Sequence, residues 1–596
     1  MAHQSENAIR LKVRTSTLSK LDDMPTPSGL TPEVWFFILP YGRSLADADT
    51  SDEWYKRITY FAEGLHNDSV IAFLTTPADA AEICTHLGGV MQYQLVVSVK
   101  LSEPIVSNSV QLPVHHAEIL VMSKYKASLR HTKTRIAYTF CPACDKTTKD
   151  YGGKKHLYHA FGTLASDVWR DISYVPGLVP QEIINRLADL FGLEPYTELQ
   201  VVDLSLVNEL RPSKGTAKQE SVGTTDSTFV LHSSLIAGDA LLELRKIPDN
   251  SVDFCFADPP YNLAKRYDSW EDSLQETEYL NWCNQWLDEL ARVVKPGRTV
   301  AVLNIPILAI RYFEHLKTRL VFQNWITWDA LSLPVRNIMP ANYSIVCFSK
   351  GEPRPLPGLV NHEKSNVEEV ALTTQSENFC LRASCISSRR RRGVNDRERV
   401  TDLWWDIHRL KHNSRRVDHP TQLPPQLMRR LIALYSAEGE VVLDPFNGSG
   451  TTTLCAAEMG RRYIGIELSR EYHELAMERH ASLSRGEDPF GKSDSVPVAK
   501  NSRVKRVANR KYEVPKKTLQ LEVKRVADKL GHLPSRAELQ KWGQYPIRLY
   551  DEYFASWADV CAAAKTTGMS ELRTTAEVSL ADPPILAEEP RPLDPE

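Results

Sequence analysis

An α/β protein built on a buried, largely parallel sheet is predicted by two apolar runs that each end on an acid and a loop, and by the helical pattern after the second. Phe254–Ala257 closes on Asp258-Pro259-Pro260-Tyr261. Val441-Val442-Leu443-Asp444 continues through Pro445-Phe446-Asn447-Gly448-Ser449-Gly450 into Thr451-Thr452 and a helix. Short apolar runs bounded by turn signals read as strands buried on both faces. A third run, Tyr463-Ile464-Gly465-Ile466-Glu467, follows that helix and again ends in an acid.

Each loop suits one part of a reaction. The exocyclic amine of adenine or cytosine is a poor nucleophile, because its lone pair is delocalised into the ring. The Asp258 carboxylate and the Pro259 carbonyl can each accept one N–H, favouring a pyramidal nitrogen aimed at a methyl donor. Pro259 and Pro260 stiffen the loop, and Tyr261 offers a ring on which an extruded base stacks. Asn262 either orients this loop or caps a turn. In the second loop, Gly448 and Gly450 let the backbone approach a ligand closely, and the helix start at Thr451 favours the ligand's negative end. Glu467 is placed to bind ribose hydroxyls.

Together, and in this order, the two loops resemble the beta class of DNA amino-methyltransferases that use S-adenosylmethionine. The resemblance covers roughly residues 229–485 and implies a Rossmann-like methyltransferase domain. It assigns Asp239, in Gly238-Asp239-Ala240, to the cofactor's adenine side, and gives Asp444, Phe446, Gly448, Gly450, Thr451 and Glu467 to the donor. His419-Pro420-Thr421-Gln422 looks like the family's cofactor-cradling entry, which places His419 and Thr421 there. The familiar form continues with Lys, whereas this chain has Leu423, so no charge is assigned to that position. An Asp at the head of the catalytic motif leans towards adenine N6 over cytosine N4. A P-loop is absent from the sequence, and so is the Pro-Cys pair expected for carbon-5 methylation of cytosine. A DNA-binding regulator that kept the fold is the reading outside enzymes.

The first 200 residues echo the catalytic half. Ser69–Pro77 parallels Arg298–Pro306, and His86-Leu87 parallels His315-Leu316, at one constant offset. Glu118–Lys124 parallels Ser344–Lys350, and Asp167–Ile172 parallels Asp402–Ile407. Ile38-Leu39-Pro40-Tyr41 stands where the catalytic motif should be, and Val201-Val202-Asp203 has no glycine turn after it. This predicts a degenerate methyltransferase-like copy, paired with the active one as an internal pseudo-dimer, or a homo-oligomer.

Cys141-Pro142-Ala143-Cys144 has metal-knuckle spacing, and Cys380 and Cys385 sit at nearly the equivalent place in the second copy. A four-cysteine zinc site is one expectation, and a site using His156 and His159 is its competitor. Positive segments predict contacts to duplex DNA: Lys154 and Lys155 after the knuckle, Arg389, Arg390, Arg391 and Arg392 in a long insertion, and Arg415 and Arg416 beyond it. Leu519–Leu530 has helical periodicity, Pro534-Ser535-Arg536 starts a second helix and Tyr553-Phe554-Ala555-Ser556-Trp557 leads into a third; with Ala555 for the usual Gly, residues 516–568 resemble the homing-endonuclease-associated repeat, which implies DNA binding, with a protein-contact module as the alternative.

The resulting organisation is a flexible N-terminus (1–24), a degenerate domain with the knuckle (25–210), a linker (211–228), the catalytic domain (229–485), a basic linker (486–515), the helical repeat (516–568) and an acidic, Pro-rich disordered tail (569–596). With a net charge of only −3, DNA binding must use local patches. No run approaches the roughly 20 apolar residues of a membrane span, and ten cysteines spread through apparent strands and helices fit a reducing cytoplasm. A cognate restriction nuclease or other phage-defence proteins are the expected partners besides DNA.

Overall fold

A computed structural model describes residues 12–41, 51–105, 108–125, 134–147, 162–192, 198–207, 210, 231–262, 274–330, 338–361, 364–410, 422–491, 514, 516–551, 553–554, 556–558 and 560–561. The chain divides into two compact units. One comprises Leu11–Thr134 with Leu164–Lys500; the other gathers Met1–Arg10, Arg135–Thr163 and Asn501–Glu596. The knuckle segment, expected inside the first domain, thus belongs with the C-terminal repeat. Phe140 packs on the repeat's core of Val514, Leu519, Val523 and Leu549, with its ring 5.5 Å from that of Tyr545. Tyr545 Oη also donates to the Tyr138 carbonyl at 3.3 Å.

The larger unit contains two sheets. The first holds β1 (Lys12–Thr17), β2 (Val34–Ile38), β3 (Val70–Thr75), β4 (Gln92–Ile105), β5 (Val114–Ser123), β6 (Val168–Tyr174) and β7 (Glu198–Asp203), in the order β1-β7-β2-β3-β5-β4-β6. The second holds β8 (Ser234–Ala237), β9 (Val252–Ala257), β10 (Val294–Asn304), β11 (Val321–Asp329), β12 (Asn342–Ser349), β13 (Leu403–Trp404), β14 (Val441–Asp444) and β15 (Arg462–Glu467), in the order β8-β15-β14-β9-β10-β12-β11-β13. Strands β2, β3, β9 and β14 are buried along their whole length, as central strands covered on both faces must be. Buried Asp253 ties three of the second sheet's strands together. It accepts from Lys295 Nζ at 2.9 Å and from the Val441 N–H at 3.0 Å.

With β8 set aside, the two sheets match place by place. In both, four parallel strands are followed by two antiparallel pairings and a parallel edge strand. One place differs in chain order: β1, the first strand, holds the position that β15 holds in the second sheet. The matching strands also meet each other reciprocally. Ser98 and Thr327, at the repeat's offset, share a hydrogen bond of 3.1 Å. Asp167 Oδ1 accepts the Ala341 N–H at 2.6 Å, and its counterpart Asp402 Oδ1 accepts the His115 N–H at 2.6 Å. The Asp167 N–H reaches the Met339 carbonyl, while the Asp402 N–H reaches that of Pro113. Contacts exchanged in this way define an approximate two-fold axis. Helices α1 (Ser51–Gly64) and α2 (Pro77–Leu87) cover the first sheet, and α2 packs on its counterpart in the second half, the helix Pro306–Leu316.

His116 sits in this seam with no exposure, Nδ1 3.1 Å from Asp402 Oδ1 and Nε2 3.5 Å from Glu118 Oε1. Burial alone would depress its pKa, but the two carboxylates raise it to about 10. The two acids thus favour the protonated form of the buried ring.

Helix α3 (Gln181–Phe191) belongs to the first half. The second sheet's helices begin with α4 (Ala240–Leu244), α5 (Glu276–Val293), α6 (Pro306–Leu316) and α7 (Ala383–Arg391). They continue with α8 (Pro425–Tyr435), α9 (Thr451–Glu458) and α10 (Arg470–Ser484). In the smaller unit, α11 (Lys516–Leu530), α12 (Arg536–Trp542) and α13 (Ile547–Asp551) form the repeat. Ser535 caps α12 through a reciprocal box with Glu538. Among the described residues, no helix is long and apolar enough to cross a membrane.

Candidate functional site

The crossover after β9 leads towards β10, whereas the crossover after β14 leads the other way, to β15. Between these neighbouring strands lies a topological switch point, where open α/β sheets leave a crevice at the strands' carboxyl ends. Phe254 and Cys255 pair with Val442 and Leu443, so Asp258 and Asp444 leave adjacent strand ends. One cleft is lined by Asp258 and Pro260 from the first loop, by Asp444, Phe446, Gly448 and Thr451 from the second, and by Asp239 and Glu467. Eight expected residues thus border one cavity, as does Gln422, next to the expected His419 and Thr421. His419 and Thr421 themselves lie outside the described residues.

In the loop after β9, Tyr261 is buried and its hydroxyl donates to Asp258 Oδ1 at 2.8 Å. Burial, then the nearby Asp258 charge, holds this phenol well above its ordinary pKa, so it stays a donor. The Pro260 carbonyl accepts from Tyr279 Oη of α5 at 2.6 Å, and Tyr279 in turn touches Tyr312 Oη at 3.1 Å. Asn262, at φ 54°, bonds both the N–H and the carbonyl of Leu274 at 2.8 Å, so it ties positions 262 and 274 together. Beside Tyr261 stands Tyr343, with ring centroids 6.2 Å apart, and Arg409 donates to the Tyr343 hydroxyl at 2.5 Å. Tyr279 and Tyr343 escape sequence reasoning because they come from distant elements, and Arg409, which reads in the sequence as part of the positive segment, is placed on the Tyr343 hydroxyl.

The glycine turn is shaped by two close approaches. Gly450 has φ 84° at the N-cap of α9, and a Cβ there would sit 3.0 Å from the Ala476 Cβ. Gly448 has φ 51°, and its N–H donates to Glu467 Oε2 at 2.7 Å. Glu467 Oε1 accepts the Ser469 N–H at 2.8 Å. Phe446 leans on Trp282 and Trp286, with centroid distances of 5.7 and 5.2 Å, and Trp282 also lines the cleft. Asp239 caps α4 through the Leu242 N–H at 3.0 Å. Asp444 accepts the Phe446 N–H at 2.9 Å. Its pKa is raised to about 7, chiefly by burial and further by the charges of Asp258 and Glu467. A cleft floored by such acids and walled by aromatic rings suits a cationic ligand with a nucleoside.

The expected DNA residues separate. Arg389 is fully buried, its Nε 2.6 Å from Asp396 Oδ2 and its Nη1 on Cys385 Sγ at 3.0 Å and on the Cys380 carbonyl at 3.2 Å. It braces the insertion and cannot contact DNA, which corrects that expectation. Arg390, Arg391 and Arg392 are exposed at the end of α7. Lys154, Lys155, Arg415 and Arg416 lie outside the described residues. Of the cysteines expected to bind metal, Cys141 and Cys144 belong to the smaller unit, and Cys380 and Cys385 to the larger.

Residues 252–478 match the family model described as DNA methylase, and residues 514–567 match that of the homing endonuclease associated repeat. Over 262 residues the chain is 36% identical to the type II methyltransferase M.BamHI of Bacillus amyloliquefaciens, covering 43% of this chain and 59% of that protein's length. Identity is 32% to the type II methyltransferase M.HpaI of Haemophilus parainfluenzae, covering 43% of this chain and 76% of the relative. For the DNA adenine methyltransferase YhdJ of Escherichia coli K12 the figures are 30%, 41% and 82%. A DNA modification methylase of Thermus thermophilus is 25% identical with a TM-score of 0.28, over 42% of this chain and 95% of that one.

Proposed function

The chain belongs to the DNA methylase family, and on that premise we propose that it methylates the exocyclic N6 amine of an adenine turned out of duplex DNA. The observation that carries this reading is the pairing of β9 with β14, which sets Asp258 beside Asp444 at one cleft. The cleft's residues fit S-adenosylmethionine: Glu467 and Asp239 for the nucleoside, Phe446 for its ring, and Asp444 for the positive end. When bound, that cofactor supplies a methyl group on a sulfonium. Asp258 and the Pro259 carbonyl accept hydrogen bonds from the two N–H groups of the amine, which frees the nitrogen lone pair, and the proton the amine loses on gaining a methyl leaves by way of Asp258. The Tyr261 hydroxyl, donating to Asp258 Oδ1, orients the carboxylate, which can accept more than one hydrogen bond. Tyr261 and Tyr343 form the aromatic wall for the base, and Arg409 holds Tyr343 in place.

We read the first half as a degenerate copy without a donor site. The Asp203 turn is retained, with the Ser205 N–H on Oδ1 at 3.0 Å, but Leu204, Val207 and Leu210 are buried where the glycine turn would leave room. Arg390–Arg392 and the C-terminal repeat are the proposed duplex contacts. A nuclease that reads the same sequence is the proposed protein partner.

The test is methyl transfer from labelled S-adenosylmethionine to DNA, followed by nucleoside digestion and mass spectrometry. N6-methyladenine is expected, and it should disappear with Asp258→Ala. N4-methylcytosine would transfer the reading to the other amine; equal labelling by the wild type and the variant would end the enzymatic reading.

A further inference from the structure

We propose that Cys141 and Cys144 form a zinc-binding knuckle on which the smaller unit is built. Cys141 ends a two-residue strand, Phe140–Cys141, that pairs antiparallel with Lys146–Thr147. Pro142 and Ala143 form the tip, and the Asp145 N–H returns to the Cys141 carbonyl at 2.9 Å. Asp145 has φ 53°, a left-handed conformation that costs most side chains about 1–2 kcal/mol. The kink therefore needs a reason. Directly after the second cysteine of C-x-x-C, a left-handed residue turns the chain back, which lets both thiols face one ion. Asp tolerates this backbone better than most residues other than glycine.

A second observation is that this hairpin is too small to hold itself. Two residues per strand give almost no cross-strand packing, and isolated hairpins of even greater length are marginal in water. Nevertheless, Phe140 and Tyr138 are set against the repeat's core through Tyr545. A bound metal supplies the missing stabilisation, because the binding free energy of a structural zinc is folding free energy. Cys141 is buried and Cys144 half-buried, and both are reduced thiols.

Tetrahedral zinc takes four ligands, so two more are needed. Two pairs in the sequence offer them. In the larger unit, Arg389 donates to Cys385 Sγ and to the Cys380 carbonyl, the kind of outer donor that spreads the charge of a metal-bound thiolate. His156 and His159 follow the knuckle in sequence and lie outside the described residues.

The experiment is elemental analysis of the purified full-length chain, kept reduced and free of chelator, with unfolding followed by circular dichroism. About one zinc per chain is expected, lost in Cys141→Ser and in Cys144→Ser while cleft binding of S-adenosylmethionine persists. Loss in Cys380→Ser identifies the second cysteine pair as ligands; loss in a His156→Ala/His159→Ala double variant identifies the histidines. A wild-type chain without zinc overturns the proposal, and so does a Cys141→Ser chain that keeps its zinc. Since cofactor binding is measured on the same samples, failure here is distinguishable from failure of the methyltransferase reading.

Discussion

If Asp444 meets the donor's positive end, as proposed, it should set the pH dependence of donor binding. Its pKa near 7, against about 3.8 for a free carboxyl, means that the folded chain holds this proton more tightly than the unfolded one. Ionised Asp444 is thus a cost to folding that grows as pH rises from about 4 to about 7. A cationic ligand reverses the preference by favouring the carboxylate. Affinity for S-adenosylmethionine should therefore rise with pH through about 7, and Asp444→Asn should flatten the profile. Calorimetric titration across roughly pH 6 to 8 reads this directly, and a flat wild-type profile would remove Asp444 from the donor's contacts. Asp258 and Asp444 were legible in the sequence because each ends an apolar run and starts a loop of unusual composition. Tyr343, Trp282 and Tyr279 were not. Each is an ordinary aromatic on its own element, and only the folding of β12 and α5 around β9 brings them to the loop.

At the scale of an element, α7 shows how a run of like residues hides its two faces. Four arginines in a row read as one positive segment, yet Arg389 lies one helical turn after Cys385 and shares its buried side. Arg390–Arg392 fall outward. Arg389→Ala should lower the unfolding temperature by several degrees, because a buried pair broken on one side costs about 3–5 kcal/mol. It should leave the salt dependence of DNA affinity intact. Replacing Arg390, Arg391 and Arg392 together should do the opposite, keeping thermal stability and reducing the salt slope by about 2–3 units. Unfolding curves and titrations at several salt concentrations separate the two. The same limit applies to the knuckle. Its cysteines were visible, but its attachment to the repeat rests on Phe140 and Tyr545, which are roughly four hundred positions apart and share no pattern.

For the whole molecule, the repeat offset turned out to be a symmetry. The sequence alignment paired residues that the structure places in matching strands, and aligned Asp167 and Asp402 each bond the opposite half across the seam. What the alignment could not convey is that β1 takes a place held by a late strand in the other half, since chain order and sheet order are separate facts. One donor per chain is the expected stoichiometry, measured by calorimetry at saturating S-adenosylmethionine. Two sites would restore the first half as a working domain. A one-residue change in the seam reaches both halves, because Ser98 and Thr327 face each other and His116 bridges acids from each side.

The reciprocal seam also constrains how a double-stranded target is completed. A duplex presents two strands, and two equal subunits could attend to both in one encounter. On the proposed reading, the first half stands as a built-in second subunit and carries Ile38 at the place of Asp258. If Asp258 is the one working carboxylate, as proposed, each encounter should modify one strand and the other should need a second encounter. Half-modified duplexes should accumulate early in the reaction and disappear late.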